Sequence, residues 1–488
     1  MARKYLLVAA LSLGLFNLCR ANAQTTTAPT STTQLPKTVQ ARTVVLRGGV
    51  IAPTDFLADS SVTIAGSKIV QLGGTVPTGA YVVETDSFIF PGLIDLHNHI
   101  TWNFLPRWKP NELFANRYEW QQRQAYKIAL DAPHREIVKE PGLACDAERY
   151  GEVKVMVGGA TSTVGSLGSP CIMGLARNLD NYSGFGPPGV LNHEKLRYEV
   201  FPFELGLADA KQIRADLDSG TILKAFLIHV GEGKPTDAAS AREFAMLVKH
   251  DDGFLRRGVS IIHGVALGKS EFDKMAKSEM GLIWSPRSNI ELYGATTDVR
   301  SAKAAGVRIA LAPDWSPSGS DGVIEELKYA ATWNAAQPSP ADPTKFGLFT
   351  DTELFQMVTV IPAQLAAVDQ EIGSLAPGHY ADLLLIRKSG SDPYQALIHA
   401  SPADVRLVII NGVPLYGDVD LMEKLSPRRA IEIISVCGRQ KALYMDPQSG
   451  VPETLKSFKQ ISQELETALN LWGGSLSPLA ICDGTNLH

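Results

Sequence analysis

The sequence lacks several features that would have fixed its class at once. It has no block of like charge: 46 basic residues are interspersed with 51 acidic ones, for a formal net charge of -5. That excludes a basic stripe for nucleic acid and a polybasic membrane anchor. It is poor in cysteine, with five in 488 residues, and none has the CxxC spacing of a zinc knuckle. Beyond the first residues no apolar run is long enough to read as a membrane span. The composition is otherwise ordinary, 45% hydrophobic and 20% charged, which excludes disordered and fibrous classes and provides for a large core. A small molecule is the expected partner, with no nucleic acid and no stable membrane anchor; a homo-oligomer is left open.

Met1 to Lys4 carries two basic residues, residues 5–16 are an apolar run, and Ala21-Asn22-Ala23 offers small residues for cleavage before Gln24. This reads as a signal peptide over residues 1–23, cleaved near Ala23, followed by a linker over 24–42. Export to a periplasm or the exterior is the expectation. Cys19 lies within the signal, and residues 16–18 before it lack the small side chains of a lipidation site. Four cysteines remain, Cys145, Cys171, Cys437 and Cys482, which allow three disulfide pairings. The nearest-neighbour scheme, Cys145 with Cys171 and Cys437 with Cys482, is the favoured one.

Short β-rich runs at 43–46, 61–64 and 69–72, separated by Gly and Pro turns, read as a small β-domain. Similar runs return at 381–386 and 405–410, the latter followed by the hairpin signal Asn411-Gly412. One β-sandwich built from both ends of the chain, residues 43–90 and 369–418, accounts for both sets. Between them, over 91–368, apolar strand runs at 88–96, 224–229, 259–263, 282–285 and 307–313 alternate with helical stretches such as 239–249 and 269–277. That alternation predicts an α/β fold, a (β/α)₈ TIM barrel, because the polar residues sit at the C-terminal ends of the strands. Residues 419–488 read as a C-terminal helical cap, with a helix at 453–471.

The chemistry gathers at those strand ends. His97-Asn98-His99 closes the first run, and residues two apart on a strand project the same way, so both imidazoles can share one metal. His229, His263 and Asp314 each close a later apolar strand. Imidazoles with one carboxylate suit Zn²⁺ or a similar first-row metal, Fe²⁺ or Mn²⁺ being the alternatives, and an open position for water makes such a site catalytic. Water on such a metal ionises near a pKa of about 7 instead of about 15.7.

Phe90-Pro91-Gly92-Leu93-Ile94-Asp95-Leu96-His97-Asn98-His99 resembles the first-strand signature of the amidohydrolase superfamily. Gly373-Ser374-Leu375-Ala376-Pro377-Gly378 with Ala381-Asp382-Leu383 resembles that family's return into its β-sandwich. His229-Val230-Gly231-Glu232 is similar to the His-x-x-Glu of the mononuclear branch, which holds cytosine deaminases, triazine hydrolases and imidazolonepropionase. The resemblance implies one metal bound through His97, His99, His229 and Asp314. It also implies that Glu232 shuttles a proton to the substrate nitrogen, that His263 polarises the substituent on the attacked carbon, and that Asp314 takes the proton of the metal-bound water. The expected function is therefore an exported metal-dependent amidohydrolase, a hydrolase of carbon–nitrogen bonds other than peptide bonds, in which metal-bound hydroxide hydrolyses a cyclic amide or deaminates an amidine.

Two rivals stand beside it. A binuclear carboxamidase or dipeptidase-like hydrolase would bridge two metals through Lys195 or Glu204, and a binding protein would retain metal without turnover. For substrate contacts the sequence offers Trp284-Ser285-Pro286-Arg287-Ser288-Asn289 and Trp315-Ser316-Pro317-Ser318-Gly319-Ser320, which are expected to line the pocket. Arg177, beside Asn178, is a candidate to hold an anionic group, a surface salt bridge being the other reading. The aromatic-rich insertion 101–150, with Trp102, Phe104, Trp108, Tyr118 and Trp120, is expected over the mouth as a lid or as packing.

Overall fold

The computed structural model describes residues 42–166, 175–180, 196–200, 206–250, 252–342, 344–426, 431–445 and 456–482. Four strands open this part of the chain: β1 (Val44–Ile51), β2 (Phe56–Ala65), β3 (Lys68–Leu72) and β4 (Tyr81–Pro91). The barrel strands follow: β5 (Leu93–Ile94), β6 (Ala160–Thr163), β7 (Arg177–Asn178) and β8 (Leu196–Glu199), then β9 (Ala225–Val230), β10 (Val259–His263), β11 (Gly281–Trp284) and β12 (Arg308–Leu311). β5–β6–β7 pair in parallel, as do β8 through β12 in order, and a parallel bridge between Asn98 and Asp314 links the first strand's extension to the last's. This is the TIM barrel expected from the βα alternation.

The later barrel strands are apolar on both faces because each face is covered. Along β9, Ala225 and Leu227 join a buried cluster with Ile262, Ile283, Ala310 and Ala312, the filling of the barrel. Phe226, Ile228 and Val230 point the other way, into the larger core shared with the surrounding helices. The pleat's period of two therefore sorts every residue of the run.

The remaining strands, β13 (Leu383–Arg387), β14 (Val405–Ile410), β15 (Val413–Asp418), β16 (Glu432–Val436) and β17 (Arg439–Leu443), join β1–β4 in one nine-stranded sheet of order β16-β17-β15-β14-β13-β4-β1-β2-β3. Side chains from distant strands of this sheet, including Leu46, Val62, Ile69, Leu383, Leu407 and Ala442, meet in a single cluster, so the sheet folds over a core of its own as a sandwich. Leu384, Ile386, Val408 and Ile410, alternating with them, face the larger core. Asn411 and Gly412 have φ of 56° and 77°, the paired positive values that a tight hairpin requires, and they turn β14 into β15.

Two expectations need correction. The apolar run 88–96 is not one strand: it divides at Gly92, where the chain passes from β4 of the outer sheet to β5 of the barrel. A Cβ at Gly92 would lie 2.1 Å from Thr161 Oγ1, so no side chain fits the crossing. Nor are residues 419–488 all helical. The helices Val419–Leu425 and Phe458–Asn470 are present, but β16 and β17 add a hairpin to the sheet edge, turned by Cys437 and Gly438 at φ 48° and 75°. Lys441 explains why this polar segment is held: its buried ammonium donates to the Ala403 and Val405 carbonyls and to Asp418. No described helix is long and apolar enough to cross a membrane.

Candidate metal centre

The barrel's C-terminal mouth brings the six expected residues together. His97 Nε2 lies 3.1 Å from His229 Nε2 and 3.2 Å from Asp314 Oδ1, and His99 Nε2 lies 3.4 Å from the same Asp314 oxygen. His97, His99 and His229 form one ligand-competent group, and His97, His263 and Asp314 a second that shares His97. Glu232 Oε2 is 3.7 Å from His263 Nε2.

Reaching this point costs backbone strain at two positions. His263 and Asp314 have φ of 67° and 72°, in the left-handed region that side-chain-bearing residues rarely adopt. For His263 the reason is visible in β10: Val259 and Ile261 face outward, and strict alternation would send His263 with them. The left-handed turn redirects the ring inward. It is held there by Gly264 N–H donating to the Val230 carbonyl (2.9 Å) and Thr297 Oγ1 donating to the His263 carbonyl (2.5 Å).

Outer partners fix the rings. His229 Nδ1–H donates to the Glu199 carbonyl at 2.9 Å, which leaves Nε2 as a lone pair facing His97. His97 Nδ1 sits 2.6 Å from Ser285 Oγ, and His263 Nδ1 2.8 Å from Asn289 Oδ1. Burial, reinforced by the neighbouring imidazoles, pushes His97 and His229 well below the usual histidine range, and burial takes His99 down to about 4. These shifts favour the neutral imidazole, the form in which histidine binds a metal. Burial, with the nearby Glu232 charge, pushes the Asp314 carboxyl well up, and the Ser288 hydroxyl donating at 2.6 Å opposes that. Imidazole nitrogens and a carboxyl group that approach to 3.1 Å (His97–His229), 3.2 Å (His97–Asp314) and 3.4 Å (His99–Asp314) are the kind of donors that a divalent metal draws together.

Above them opens a cavity of about 210 Å³ walled by Trp102, Trp120, Tyr126 and Trp315, with Glu232 and His263 in its lining. The insertion thus supplies much of the wall, while its Phe104 and Trp108 are buried in the core. It also supplies a residue the sequence reading missed. Arg117, 1% exposed, reaches Glu232 Oε2 (3.3 Å) and Glu243 Oε1 (3.2 Å), and Tyr293 donates to Glu232 Oε1 at 2.7 Å. No local pattern marks either residue, since their partners lie 115 and 61 positions away.

Other expected contacts fall elsewhere. Trp315 lines the cavity, but Trp284 faces outward from β11, packs on Trp333 and donates to Thr296 Oγ1 at 2.7 Å. Arg177 holds no anionic substrate and is no surface pair: fully buried, it grips Asp382 through two 2.8 Å bonds. Asn178 donates to Glu152 Oε1 at 2.7 Å. Cys437 and Cys482 are disulfide-bonded with Cα atoms 5.0 Å apart. Cys145 is also disulfide-bonded, while Cys171 lies outside the described residues, as do Lys195, Glu204 and the signal segment 1–23.

Comparison with known proteins bears on the fold and on the superfamily resemblance. Residues 222–415 match the profile of the Amidohydrolase family. The resemblance to the amidohydrolase superfamily holds. A 5-methylthioadenosine/S-adenosylhomocysteine deaminase of Thermodesulfovibrio yellowstonii is 30% identical over 169 residues, 33% of this chain and only 37% of that protein. The deaminase of the same name from Pyrococcus furiosus is 22% identical over 418 residues, covering 76% of this chain and 94% of its own length. A crystal structure of a Xanthomonas campestris adenosine deaminase with bound zinc superposes with a TM-score of 0.62 at 17% identity, over 76% of this chain and 92% of that one. At that identity the likeness concerns the fold.

Proposed function

We propose that this amidohydrolase-like protein is a hydrolase of non-peptide carbon–nitrogen bonds that uses one divalent metal, zinc, and removes ammonia from a planar ring bearing an amidine. The observation that carries the reading is that Glu232 and His263 line an aromatic-walled cavity together with His99, His229 and Asp314, with His97 lying 3.1 Å from His229 and 3.2 Å from Asp314. Bare metal retention needs neither residue. The deaminases among the matched relatives favour deamination over opening of a cyclic amide.

When bound, a divalent metal supplies Lewis acidity that lets water lose a proton near neutral pH. The chain's own groups then manage protons. Asp314 takes the proton released by water, with Ser288 fixing its second oxygen. Glu232 carries a proton to the leaving nitrogen. His263, whose Nε2 lies 3.7 Å from Glu232 Oε2, stands beside this proton carrier and is placed to polarise the substituent on the attacked carbon. Trp102, Trp120 and Trp315 exclude bulk water and stack on a flat substrate.

The test is metal content together with ammonia release from aminopurines, aminopyrimidines and aminotriazines, with lactams as the comparison. One equivalent per chain is expected; two equivalents would favour the binuclear hydrolase. His97→Ala and Asp314→Ala should lose both metal and turnover, whereas Glu232→Gln should keep the metal and lose about 10²–10⁴-fold in kcat. Undiminished turnover in metal-free Asp314→Ala protein would overturn the proposal. Export is proposed as well: the Cys437–Cys482 disulfide suits an oxidising compartment, and fractionation with N-terminal sequencing should find the mature chain starting at Gln24 outside the cytoplasm.

A further inference from the structure

Four residues of the site stand at the ends of four different barrel strands, yet one short helix holds all of them. The helix is Pro286–Tyr293, directly after β11, with Ser285 as its N-cap. Ser285 Oγ meets His97 Nδ1 at 2.6 Å, Ser288 Oγ donates to Asp314 Oδ2 at 2.6 Å, Asn289 Oδ1 meets His263 Nδ1 at 2.8 Å, and Tyr293 OH donates to Glu232 Oε1 at 2.7 Å. These four occupy positions i, i+3, i+4 and i+8, a single stripe of an α-helix. All four are buried.

A helix face buried in a core is ordinarily apolar, since an unpaired polar group there is costly. Here the face is polar throughout, and every group on it pairs with a different site residue. The directions of the bonds are fixed from behind. Thr297 donates its hydroxyl to the His263 carbonyl, so it can only accept from Asn289 Nδ2 (3.4 Å), which turns Asn289 Oδ1 toward the imidazole and keeps the proton on His263 Nδ1. Trp315 donates to Ser318 (2.5 Å), and Ser318 lies 2.9 Å from Ser288, a chain of donors running from the cavity wall to Asp314. The helix itself is anchored at both ends. Pro286 starts it, Arg287 N–H donates to Glu326 Oε1 at 3.1 Å, and Gly294 ends it at φ 69° with its N–H on the Ile290 carbonyl.

We propose that this helix is the positioning element of the site and that its turns divide the work: Ser285 and Ser288 set the metal donors His97 and Asp314, and Tyr293 sets the proton carrier Glu232. The division rests on the hydrolase reading given above for Glu232, but the metal half does not need a substrate to be tested.

The experiment compares full-length Ser288→Ala, Ser288→Thr, Ser285→Ala and Tyr293→Phe proteins by competition with a chromophoric zinc chelator, by kcat and KM, and by thermal midpoint. Ser288→Ala and Ser285→Ala should weaken zinc binding about 10–100-fold, with Ser288→Thr restoring it because the hydroxyl returns. Tyr293→Phe should bind zinc as the wild type does and lower kcat at least about 10-fold with KM unchanged. Wild-type zinc affinity in both serine-to-alanine variants would overturn the proposal, as would a Tyr293→Phe protein whose loss tracks zinc affinity. Should no substrate turn over while the serine variants still lose zinc, the hydrolase reading fails and the positioning of the metal donors stands.

Discussion

At the scale of single residues, Arg177 shows how a side chain that reads as functional can serve the framework. Its guanidinium, on β7 of the barrel, makes two parallel bonds to Asp382 just before β13 of the sheet, and Asp382 Oδ1 also accepts the Asn411 N–H at 2.7 Å. One carboxylate thereby ties barrel, sheet and hairpin turn. Removing one partner would leave the other charge buried at 3–4% exposure or less, so Arg177→Ala should destabilise the fold by about 3–5 kcal/mol. Arg177→Lys should rescue little, because an ammonium cannot reproduce the two-pronged geometry. Urea denaturation measures both, and kcat of the folded fraction should not change. A variant with normal stability and a raised KM would instead restore the anion-holding role. The sequence could not decide this, since the partner stands 205 residues away.

At the scale of elements, legibility followed length and repetition. β9, β10 and β12 are continuous apolar runs ended by or close to an ionisable residue, and the first two histidines of the candidate metal centre are readable because His97 and His99 follow such a run. β5 and β7 are two residues each, too short to carry a period, and the hairpin β16–β17 has polar residues where a buried strand would have apolar ones. Residues 284–289 read from sequence only as pocket lining, because the stripe that the helix Pro286–Tyr293 turns toward the site is serine, asparagine and tyrosine, and no apolar periodicity marks that face as buried. The insertion yields a prediction of its own. His134 stacks on Trp102 at 3.7 Å and lies 3.1 Å from Thr101 Oγ1, and burial, aided by the nearby His99, takes it down to about 3. In an unfolded chain it would titrate near 6.5. The folded state then binds fewer protons between these values, so this contribution is present above about 6.5 and is lost as pH falls toward 3. The stability gap between wild type and His134→Gln should therefore shrink on acidification, followed by tryptophan fluorescence in urea. A gap that is constant from pH 7.5 to 4 would show that His134 does not titrate with folding.

At the scale of the whole molecule, the C-terminal segment closes the structure over the elements that build the cavity wall. The helix Phe458–Asn470 lies against the helix Pro141–Val157, with Phe458 stacked on Tyr150 at 5.6 Å. Beyond it, Ser477 donates its N–H to the Phe104 carbonyl at 3.0 Å, accepts from Lys154 Nζ at 3.0 Å, and its carbonyl accepts the Tyr150 hydroxyl. The Cys437–Cys482 disulfide then joins this tail to the turn of the β16–β17 hairpin, across a separation of 45 residues. Chain-entropy reasoning assigns such a closure about 2–4 kcal/mol, so a Cys437→Ser/Cys482→Ser protein should melt lower than the wild type and expose its tail to limited proteolysis first. Because Cys145 is also disulfide-bonded, reductant should depress the wild type's melting point further than the double substitution does. Metal content should survive both treatments at temperatures below melting, since none of the donors proposed for the metal is a cysteine. A double variant that melts with the wild type would mean that the Phe458–Asn470 packing alone holds the tail, and the disulfide would then carry no share of the fold's stability.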